Sequence, residues 1–237
     1  MPLSTGNYTS AYLPSLAKNV VKDTTFLIGL CHSWYMNNDN FHIKIQQQMR
    51  TFTPTLMHTE LKHAAVLIPV VLQPEPAILL TVRAAHLKSH PGDVSFPGGM
   101  VECYDNGIED AALRETHEEI NLTPNQFHIH GRLSTALSKN GVLVHPVLAT
   151  LNDATNSIAN PDEIADIFSV PWQFFAQTTP ELIPFERHGI AIQVPHFHYQ
   201  GRHIWGLTAM ILLEFINLME GTEWPLPPFT ESEKYRR

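Results

Sequence analysis

The amino-acid sequence predicts a mixed α/β fold, in which one β-sheet is sandwiched between α-helices. A continuous apolar run over residues 64–72 is typical of a strand buried on both faces, and a helical pattern covers residues 107–122. Further strand patterns and a long apolar helix follow toward the C-terminus. These elements place one domain at residues 59–221, between an extension of unassigned role (residues 1–58) and a tail (residues 222–237).

The composition excludes several broad classes of protein. Hydrophobic residues make up 43% of the 237 residues, which suffices for a packed core and argues against disorder. The 15 Lys and Arg against 23 Asp and Glu leave a formal charge of -8, so no basic footprint favours non-specific nucleic-acid binding. Two cysteines, Cys31 and Cys103, are too few for a disulfide framework or a cysteine-rich zinc module.

The N-terminus and the apolar runs predict a cytoplasmic protein without a membrane span. Residues 1–10 lack the charged start and apolar centre of a secretory signal. The longest apolar runs, residues 64–72 and 207–213, are far shorter than the roughly 20 residues that a membrane-spanning helix needs.

The first elements of the predicted domain form a hairpin. The apolar strand is followed by the turn signal Gln73-Pro74-Glu75-Pro76 and by a second strand pattern over residues 77–82. Two glycines after a proline, in Phe96-Pro97-Gly98-Gly99, then mark a tight bend at which the backbone passes close to another group. Before the hairpin, a short helix is expected at residues 41–50.

The helix over residues 107–122 is expected to begin at a side-chain cap and to bury one stripe. Asn106 can cap it, with Glu109 three residues later in a capping-box arrangement, and Pro124 marks its end. The expected buried stripe lies on a different side of the helix from most of the carboxylates and comprises Ala112, Leu113, Thr116, His117 and Ile120.

The remaining patterns are less regular. Residues 164–170 are apolar and leave strand and helix both open, whereas residues 203–219 predict a long helix that ends at Gly221. The shorter elements are strands at residues 127–133 and 142–151 and a helix at residues 171–176.

The negative charge is concentrated in residues 98–122. This stretch holds seven carboxylates and one arginine, a local charge of -6 against -8 for the whole chain. At 100° per residue, Glu115, Glu118 and Glu119 share a sector of about 100° of the helix. Such like charges repel unless a cation binds, and hard oxygen ligands suit Mg²⁺ or Mn²⁺. For this segment alone, a solvated acidic face is the alternative.

The same residues resemble the Nudix box, the loop–helix signature of diphosphate hydrolases. The matching positions are Gly99, Asp105 and the run Arg114-Glu115-Thr116-His117-Glu118-Glu119-Ile120. The arginine follows the acid by nine residues, one more than usual, and Asn121 stands where the box has a glycine. The resemblance implies the Nudix fold, a mixed sheet between helices.

An upstream motif resembles that of one subfamily, the coenzyme A diphosphatases, which also carry the one-residue expansion of the box. The motif here reads Leu79-Leu80-Thr81-Val82-Arg83-Ala84, then Lys88, Gly92 and Phe96-Pro97-Gly98-Gly99. Ala84 replaces a serine of the subfamily motif and Lys88 replaces an arginine. In all, the resemblance covers about residues 60–220.

This resemblance implies a metal-dependent hydrolase that cleaves the diphosphate of coenzyme A or its derivatives to 3′,5′-ADP and 4′-phosphopantetheine or the acylated form. Arg83 and Lys88 become candidate phosphate contacts, and Gly98 and Gly99 are expected to let the loop approach the helix and the metal. The residues implied as Mg²⁺ or Mn²⁺ ligands and as catalytic are Glu115, Glu118 and Glu119.

The catalytic base stays open, since one of these glutamates or a residue on a later loop could accept the proton of the attacking water. Arg114 is expected to be structural, pairing with another box acid or holding the loop. Cys103 lies in the box loop without an evident base beside it, so a passive thiol is expected.

Other functions remain open at this point. The substrate could be a different diphosphate such as ADP-ribose or a dinucleotide, or the domain could bind a ligand without catalysis. The pairs His128/His130 and His196/His198 have a spacing that metal sites on strands can use, but no cysteine or third ligand lies at a helpful spacing, so zinc is not expected. The preferred form of coenzyme A and the oligomeric state are not determined.

Overall fold

The computed structural model describes residues 38–187 and 190–226. Its helices are α1 (Asn38–Thr51), α2 (Ile108–Ile120), α3 (Trp172–Gln177) and α4 (Gly206–Glu220), with a 3₁₀ turn at Pro124–Gln126. Its strands are β1 (Lys62–Val71), β2 (Ala77–Arg83), β3 (Val94–Ser95), β4 (Gly98–Met100), β5 (His128–Arg132), β6 (Ala136–Leu137), β7 (Val142–Leu151), β8 (Ile164–Pro171), β9 (Glu181–Arg187), β10 (Ile190–Tyr199) and β11 (Arg202–Ile204).

A mixed sheet forms the centre of the domain, with strands in the order β3-β2-β1-β7-β5 and with β4, β6 and β8 paired beside β1, β7 and β2. The central strand β1 runs antiparallel to β2, with Val71 opposite Ala77, which confirms the predicted hairpin. It runs parallel to β7, from Lys62 opposite Val142 to Val71 opposite Leu151. A second, three-stranded sheet has the order β9-β10-β11.

Both faces of β1 are covered, as its continuous apolar run predicts. On one face, Ala111 and Ala112 of α2 pack against Ala65 and Leu67 of β1. The larger apolar cluster on the other face, to which α1 and α4 contribute, includes Phe41, Ile45, Ile68, Leu212 and Phe215. Full burial of one such large side chain stabilises the fold by about 1.5–3 kcal/mol. The sheet is therefore sandwiched between α2 and the pair α1 and α4.

The helix α2 begins and packs differently from the prediction. Gly107, which has no side chain to make a capping bond, takes the cap position in place of Asn106. The backbone and side-chain amides of Asn106 instead donate to the carboxylate of Asp110, at 2.9 and 3.0 Å. Glu109 does not complete a capping box, since it pairs with Arg132 at 2.6 Å. His117 is exposed rather than part of the buried stripe. The buried residues of α2 are Ala111, Ala112, Thr116, Glu119 and Ile120.

The end of α2 explains one departure from the Nudix box. Asn121 adopts a left-handed conformation, with φ 59°, and its backbone amide bonds to the carbonyl of His117 at 2.9 Å. This is the position at which helices favour glycine, and asparagine is the side chain that tolerates it best after glycine.

The C-terminal part of the domain contains strands that the sequence patterns did not indicate. Residues 181–187 and 190–199 pair as β9 and β10. The helix predicted from residue 203 begins only at Gly206, because His203 lies in β11 opposite His198 of β10. Residues 164–170, which left both alternatives open, form most of strand β8.

The described part of the N-terminal extension packs against the domain. Helix α1 confirms the helix expected at residues 41–50, and Lys44 in it pairs with Glu220 of α4 at 3.3 Å. After α1, the Thr55 amide donates to the hydroxyl of Ser134 at 2.9 Å. The remainder of the extension and most of the predicted C-terminal tail lie outside the described residues. None of the described helices has the length and apolar character to cross a membrane.

Candidate active site

The Pro-Gly-Gly bend brings the backbone of β4 against helix α2. The Gly98 amide donates a hydrogen bond to Oε2 of Glu119 at 3.1 Å. A Cβ on Gly99 would overlap the carboxylate of Glu115, and Gly98 has φ 149° and lies against the backbone of Ala65. Glycine is the residue that fits both positions without displacing these neighbours. The bend thus sets two box glutamates directly against the loop backbone.

Arg114 joins this loop to the helix. Its Nε and Nη2 donate to the two oxygens of Asp105 at 2.8 and 3.1 Å, and Nη2 also donates to the carbonyl of Met100 at 3.0 Å. Its Nη1 donates to Oε1 of Glu115 at 2.9 Å and to Oε2 of Glu118 at 3.1 Å. The structural role predicted for Arg114 is confirmed, although the guanidinium also reaches the glutamate sector from its own side of the helix.

The contacts of Arg114 stabilise the ionised carboxylate of Asp105. The side chain of Asp105 is 1% exposed, so it depends on these bonds for compensation of its charge. Hydrogen bonds from Arg114, and then the bond from the Glu102 amide, hold the pKa of Asp105 below its usual value.

Glu119 is the most strongly perturbed acid of the site. Its side chain is buried, with the whole residue 3% exposed, and burial raises its pKa to about 8. The charges of Glu163 and Glu115 contribute to this rise, whereas the Gly98 amide and the charge of Arg83 act in the opposite direction. Without a bound cation, Glu119 therefore carries a proton at neutral pH.

The other two box glutamates are progressively more open. Glu115 is half-buried, and burial raises its pKa although the bond from Arg114 opposes the rise. The side chain of Glu118 is 54% exposed and points outward from the buried face. The three carboxylates thus form a gradient from the interior to solvent, with Glu119 and Glu115 beside the glycine loop.

Glu163 joins this cluster from a distant loop, and the sequence patterns did not single it out. Its charge raises the pKa of both Glu119 and Glu115. The loop before β8 is tied to the end of α2, because the Asn160 amide donates to the carbonyl of Glu119 at 2.8 Å. The Glu163 amide bonds in turn to the Asn160 carbonyl at 3.0 Å. The sequence predicted only that a residue on a later loop could accept the proton of the attacking water, without indicating which residue.

The predicted phosphate contacts differ in how they are placed. Arg83 ends β2, donates through Nε to the Ser89 carbonyl at 3.4 Å, and lies close enough to Glu119 for its charge to lower the pKa of that acid. The loop that follows is closed by a hydrogen bond between Nδ1 of His90 and the carboxylate of Asp93 at 2.8 Å.

Lys88 is exposed on this loop, and within residues 38–187 and 190–226 no carboxylate lies in ion-pair distance of it. Cys103 is an exposed free cysteine of the box loop. The structure thus brings Arg83 toward the carboxylate cluster, while Lys88 stands at the rim of the loop.

The donor set of the cluster fits a hard divalent cation. Glu115, Glu118, Glu119 and Glu163 offer carboxylate oxygens only, and two arginines, Arg83 and Arg114, stand against these four acids. Mg²⁺ and Mn²⁺ prefer such oxygen ligands together with water. A cation here would also favour the ionised form of Glu119, so metal binding and proton release are coupled.

Known proteins are similar to the part of the chain that contains these residues. A NUDIX domain model matches residues 61–188. A protein of Photorhabdus laumondii named "Uncharacterized Nudix hydrolase NudL" is 39% identical over 64% of this chain and 81% of its own length. A protein of the same name from Yersinia enterocolitica is 36% identical over 63% of this chain and 77% of its own. The crystal structure of a C. elegans Ap4A hydrolase is 26% identical, covers 46% of this chain and 80% of that one, and has a TM-score of 0.40.

Proposed function

The chain belongs to the Nudix hydrolase family, and we propose that coenzyme A or one of its derivatives is the substrate of its diphosphate-cleaving site. A Nudix hydrolase of this kind acts on a nucleoside diphosphate derivative. The products of the proposed reaction are 3′,5′-ADP and 4′-phosphopantetheine or its acylated form. One observation carries the assignment of the site, namely that the carboxylates of Glu115 and Glu119 lie against the Gly98-Gly99 bend.

The proposed chemistry is addition of water to one phosphorus and departure of the bridging oxygen with the other phosphate. A bound Mg²⁺ or Mn²⁺ supplies charge neutralisation and a lowered pKa of coordinated water. Glu115 and Glu119 would hold it, with Glu118 completing the set from the solvent side.

The chain's own residues supply the proton acceptor. Glu163 is exposed and lies in the electrostatic field of the buried pair, so its carboxylate can take up a proton from water near Glu119. Glu118 is the alternative acceptor, but its Oε2 already accepts a hydrogen bond from Arg114 at 3.1 Å. We therefore favour Glu163 as the base.

The substrate proposal is supported by the loop between β2 and β4. Coenzyme A carries a 3′-phosphate in addition to its diphosphate, so an acidic protein needs cations near the pocket. Arg83 lies beside Glu119 and Lys88 stands on the rim of the same loop. These cations suit the diphosphate and the additional phosphate, respectively, although lysine lacks the bidentate fork of arginine.

A panel of diphosphates tests the proposal. The purified chain is incubated with coenzyme A, ADP-ribose and a dinucleotide in Mg²⁺ and in Mn²⁺, and the products are identified by mass spectrometry. We expect cleavage of coenzyme A with the highest kcat/KM. Coenzyme A left intact while ADP-ribose is cleaved would refute the substrate and leave the hydrolase assignment standing.

Two variants test the substrate assignment and the site assignment independently. Lys88→Ala should raise the KM for coenzyme A with little effect on ADP-ribose, which lacks the 3′-phosphate. Glu119→Gln should remove most turnover of every diphosphate. Glu214→Gln is the matched control, because Glu214 is another buried glutamate with a raised pKa. It lies on helix α4, where its Oε2 accepts a hydrogen bond from the Ser134 amide at 3.0 Å.

A further inference from the structure

Three histidines from two distant parts of the chain meet at the edge of the main sheet. His42 lies on α1, and His128 and His130 lie on β5, the last strand of the sheet order. One ligand nitrogen from each lies within 4.8 Å of the other two. The sequence indicated the His128/His130 pair but not its third member, because 86 residues separate His42 from His128.

This histidine cluster lies on the opposite face of the sheet from the carboxylate site. Ile129 of β5 packs with Ala111 and Ala112 of α2, on the face that carries the box glutamates. The register of β5 shifts between Ile129 and Gly131, but the ring centroids of His128 and His130 lie 5.2 and 4.9 Å from that of His42 on α1, so both side chains project to the other face, where α1 packs. Any function of the cluster is therefore separate from diphosphate cleavage.

Two of the three rings are oriented by one hydroxyl group. Thr150 Oγ1 on the neighbouring strand β7 lies 3.1 Å from Nδ1 of His42 and 2.9 Å from Nε2 of His130. A hydrogen bond to one nitrogen that fixes the ring and leaves the other for a metal is the usual arrangement around histidine ligands. The other nitrogen of His42 contacts Nε2 of Gln46 at 2.9 Å, and this side chain would give way to a metal.

The charge state of the cluster also suits a metal. Burial, together with the neighbouring rings of His42 and His128, lowers the pKa of His130 to about 4. Its imidazole is therefore neutral at physiological pH, which is the form that coordinates cations. His128 is exposed, so the cluster can be reached from solvent.

We propose that His42, His128 and His130 form a transition-metal site that binds Zn²⁺ and fastens helix α1 to the edge strand β5. Three imidazoles and one water complete a tetrahedral zinc sphere, and imidazole favours zinc over the hard cations of the carboxylate site. With Zn–N bonds of about 2.0–2.1 Å, ligand nitrogens in a tetrahedron lie about 3.3 Å apart. The present spread of 4.8 Å closes to this value by side-chain movements of about 1.5 Å or less.

The fastening role follows from the topology. β5 pairs with β7 on one side and ends the sheet order on the other. Helix α1 precedes the residues that match the NUDIX domain model, 61–188, and reaches β5 through the histidines. A metal bound by residues of both elements stabilises the folded state, because the unfolded chain does not hold the three ligands together.

Titration of the full chain with Co²⁺ and Zn²⁺ tests the site. The metal-stripped protein is placed in excess Mg²⁺ to occupy the carboxylate site, and Co²⁺ is added while the visible absorption of tetrahedral cobalt is recorded. We expect one saturable band per chain that equimolar Zn²⁺ removes. Loss of a partner outside the metal shell typically weakens binding by 10- to 100-fold, so His128→Ala or His42→Ala should weaken it by at least about 100-fold.

The His203→Ala variant is the matched control. It removes a histidine from a separate group of three. In this group the ring centroids of His203 and His198 lie 4.5 Å apart, and Nε2 of His203 lies 2.6 Å from Nδ1 of His196. The proposal is overturned if the wild type shows no saturable band, or if His203→Ala abolishes the band while His128→Ala retains it. Zn²⁺ should also raise the Tm of the wild type but not that of His128→Ala, and an unchanged wild-type Tm would refute the fastening role. Diphosphate hydrolysis in Mg²⁺ should stay unchanged in His128→Ala, which shows that this exposed substitution leaves the fold intact.

Discussion

Replacing Glu119 with glutamine should remove the pH dependence of stability that this buried acid imposes. The pKa of Glu119 is about 8 in the folded protein against 4.5 for a free side chain. Between these values the folded state binds a proton that the unfolded state has released, so the free energy of unfolding falls as pH rises. At about 1.4 kcal/mol per pH unit, the loss from pH 5.5 to pH 8 amounts to about 3 kcal/mol.

Glutamine at position 119 removes this pH-dependent contribution to the free energy of unfolding while keeping the local hydrogen bond. Its side-chain oxygen can accept from the Gly98 amide, as Oε2 of Glu119 does at 3.1 Å. Urea unfolding in EDTA, followed by circular dichroism at pH 5.5 and pH 8, measures the effect. The difference in unfolding free energy between Glu119→Gln and wild type should favour the variant by about 3 kcal/mol more at pH 8 than at pH 5.5.

Other titrating groups cancel in this comparison, because both proteins contain the same histidines. Glu214→Gln serves as a second reference, since burial raises the pKa of Glu214 far from the site. Excess Mg²⁺ should stabilise the wild type and Glu214→Gln more at pH 8 than at pH 5.5, and should have little effect on Glu119→Gln. Equal pH dependence in wild type and Glu119→Gln would refute the buried-acid reasoning, and equal stabilisation of all three by Mg²⁺ would exclude Glu119 from the metal shell.

Two further substitutions test the loop around the site. Arg114→Ala leaves the buried carboxylate of Asp105 without its partner, so unfolding in urea should show a loss of about 3 kcal/mol, and a loss below about 1 kcal/mol would contradict the bracing role. Gly99→Ala places a methyl group on the Glu115 carboxylate, so Mn²⁺ affinity by calorimetry and diphosphate turnover should fall together. Gly92→Ala is the control for backbone strain without overlap, because Gly92 has φ 74° and an added Cβ there meets no atom within 4 Å. Equal losses in both variants would remove the steric argument.

The sequence predicted those elements whose signal is local. The apolar run of β1, its turn and β2 follow one another along the chain, and the observed pairing of Val70 with Ile78 closes this hairpin. The position of α2 was predicted by its periodicity, but its cap was not, because Asn106 could bond to its own helix in more than one way. The side chain of Asp110, rather than that of Asn106, settled the start.

The elements that were missed depend on pairing between distant residues. Strands β9 and β10 carry Pro184 and Pro195, which weaken any strand signal, yet Pro184 pairs with Gln193 and Pro195 with Leu182 in an antiparallel ladder. His203 extends an apolar helical pattern but pairs with His198 instead. Glu163 and His42 likewise reach their clusters only through tertiary contacts, so sequence spacing carries no trace of them.

The departures from the Nudix box bear on whether this domain catalyses or only binds. The extra residue between Asp105 and Arg114 could have separated the acid from its arginine, but the two side chains still meet at 2.8 Å. Both oxygens of Asp105 still accept from Arg114. Asn121 adopts the left-handed conformation that the family's glycine would take. Since neither departure displaces a box glutamate from the loop, the catalytic interpretation requires fewer assumptions than a silent binding module, and turnover lost in Glu119→Gln but kept in Glu214→Gln would separate the two.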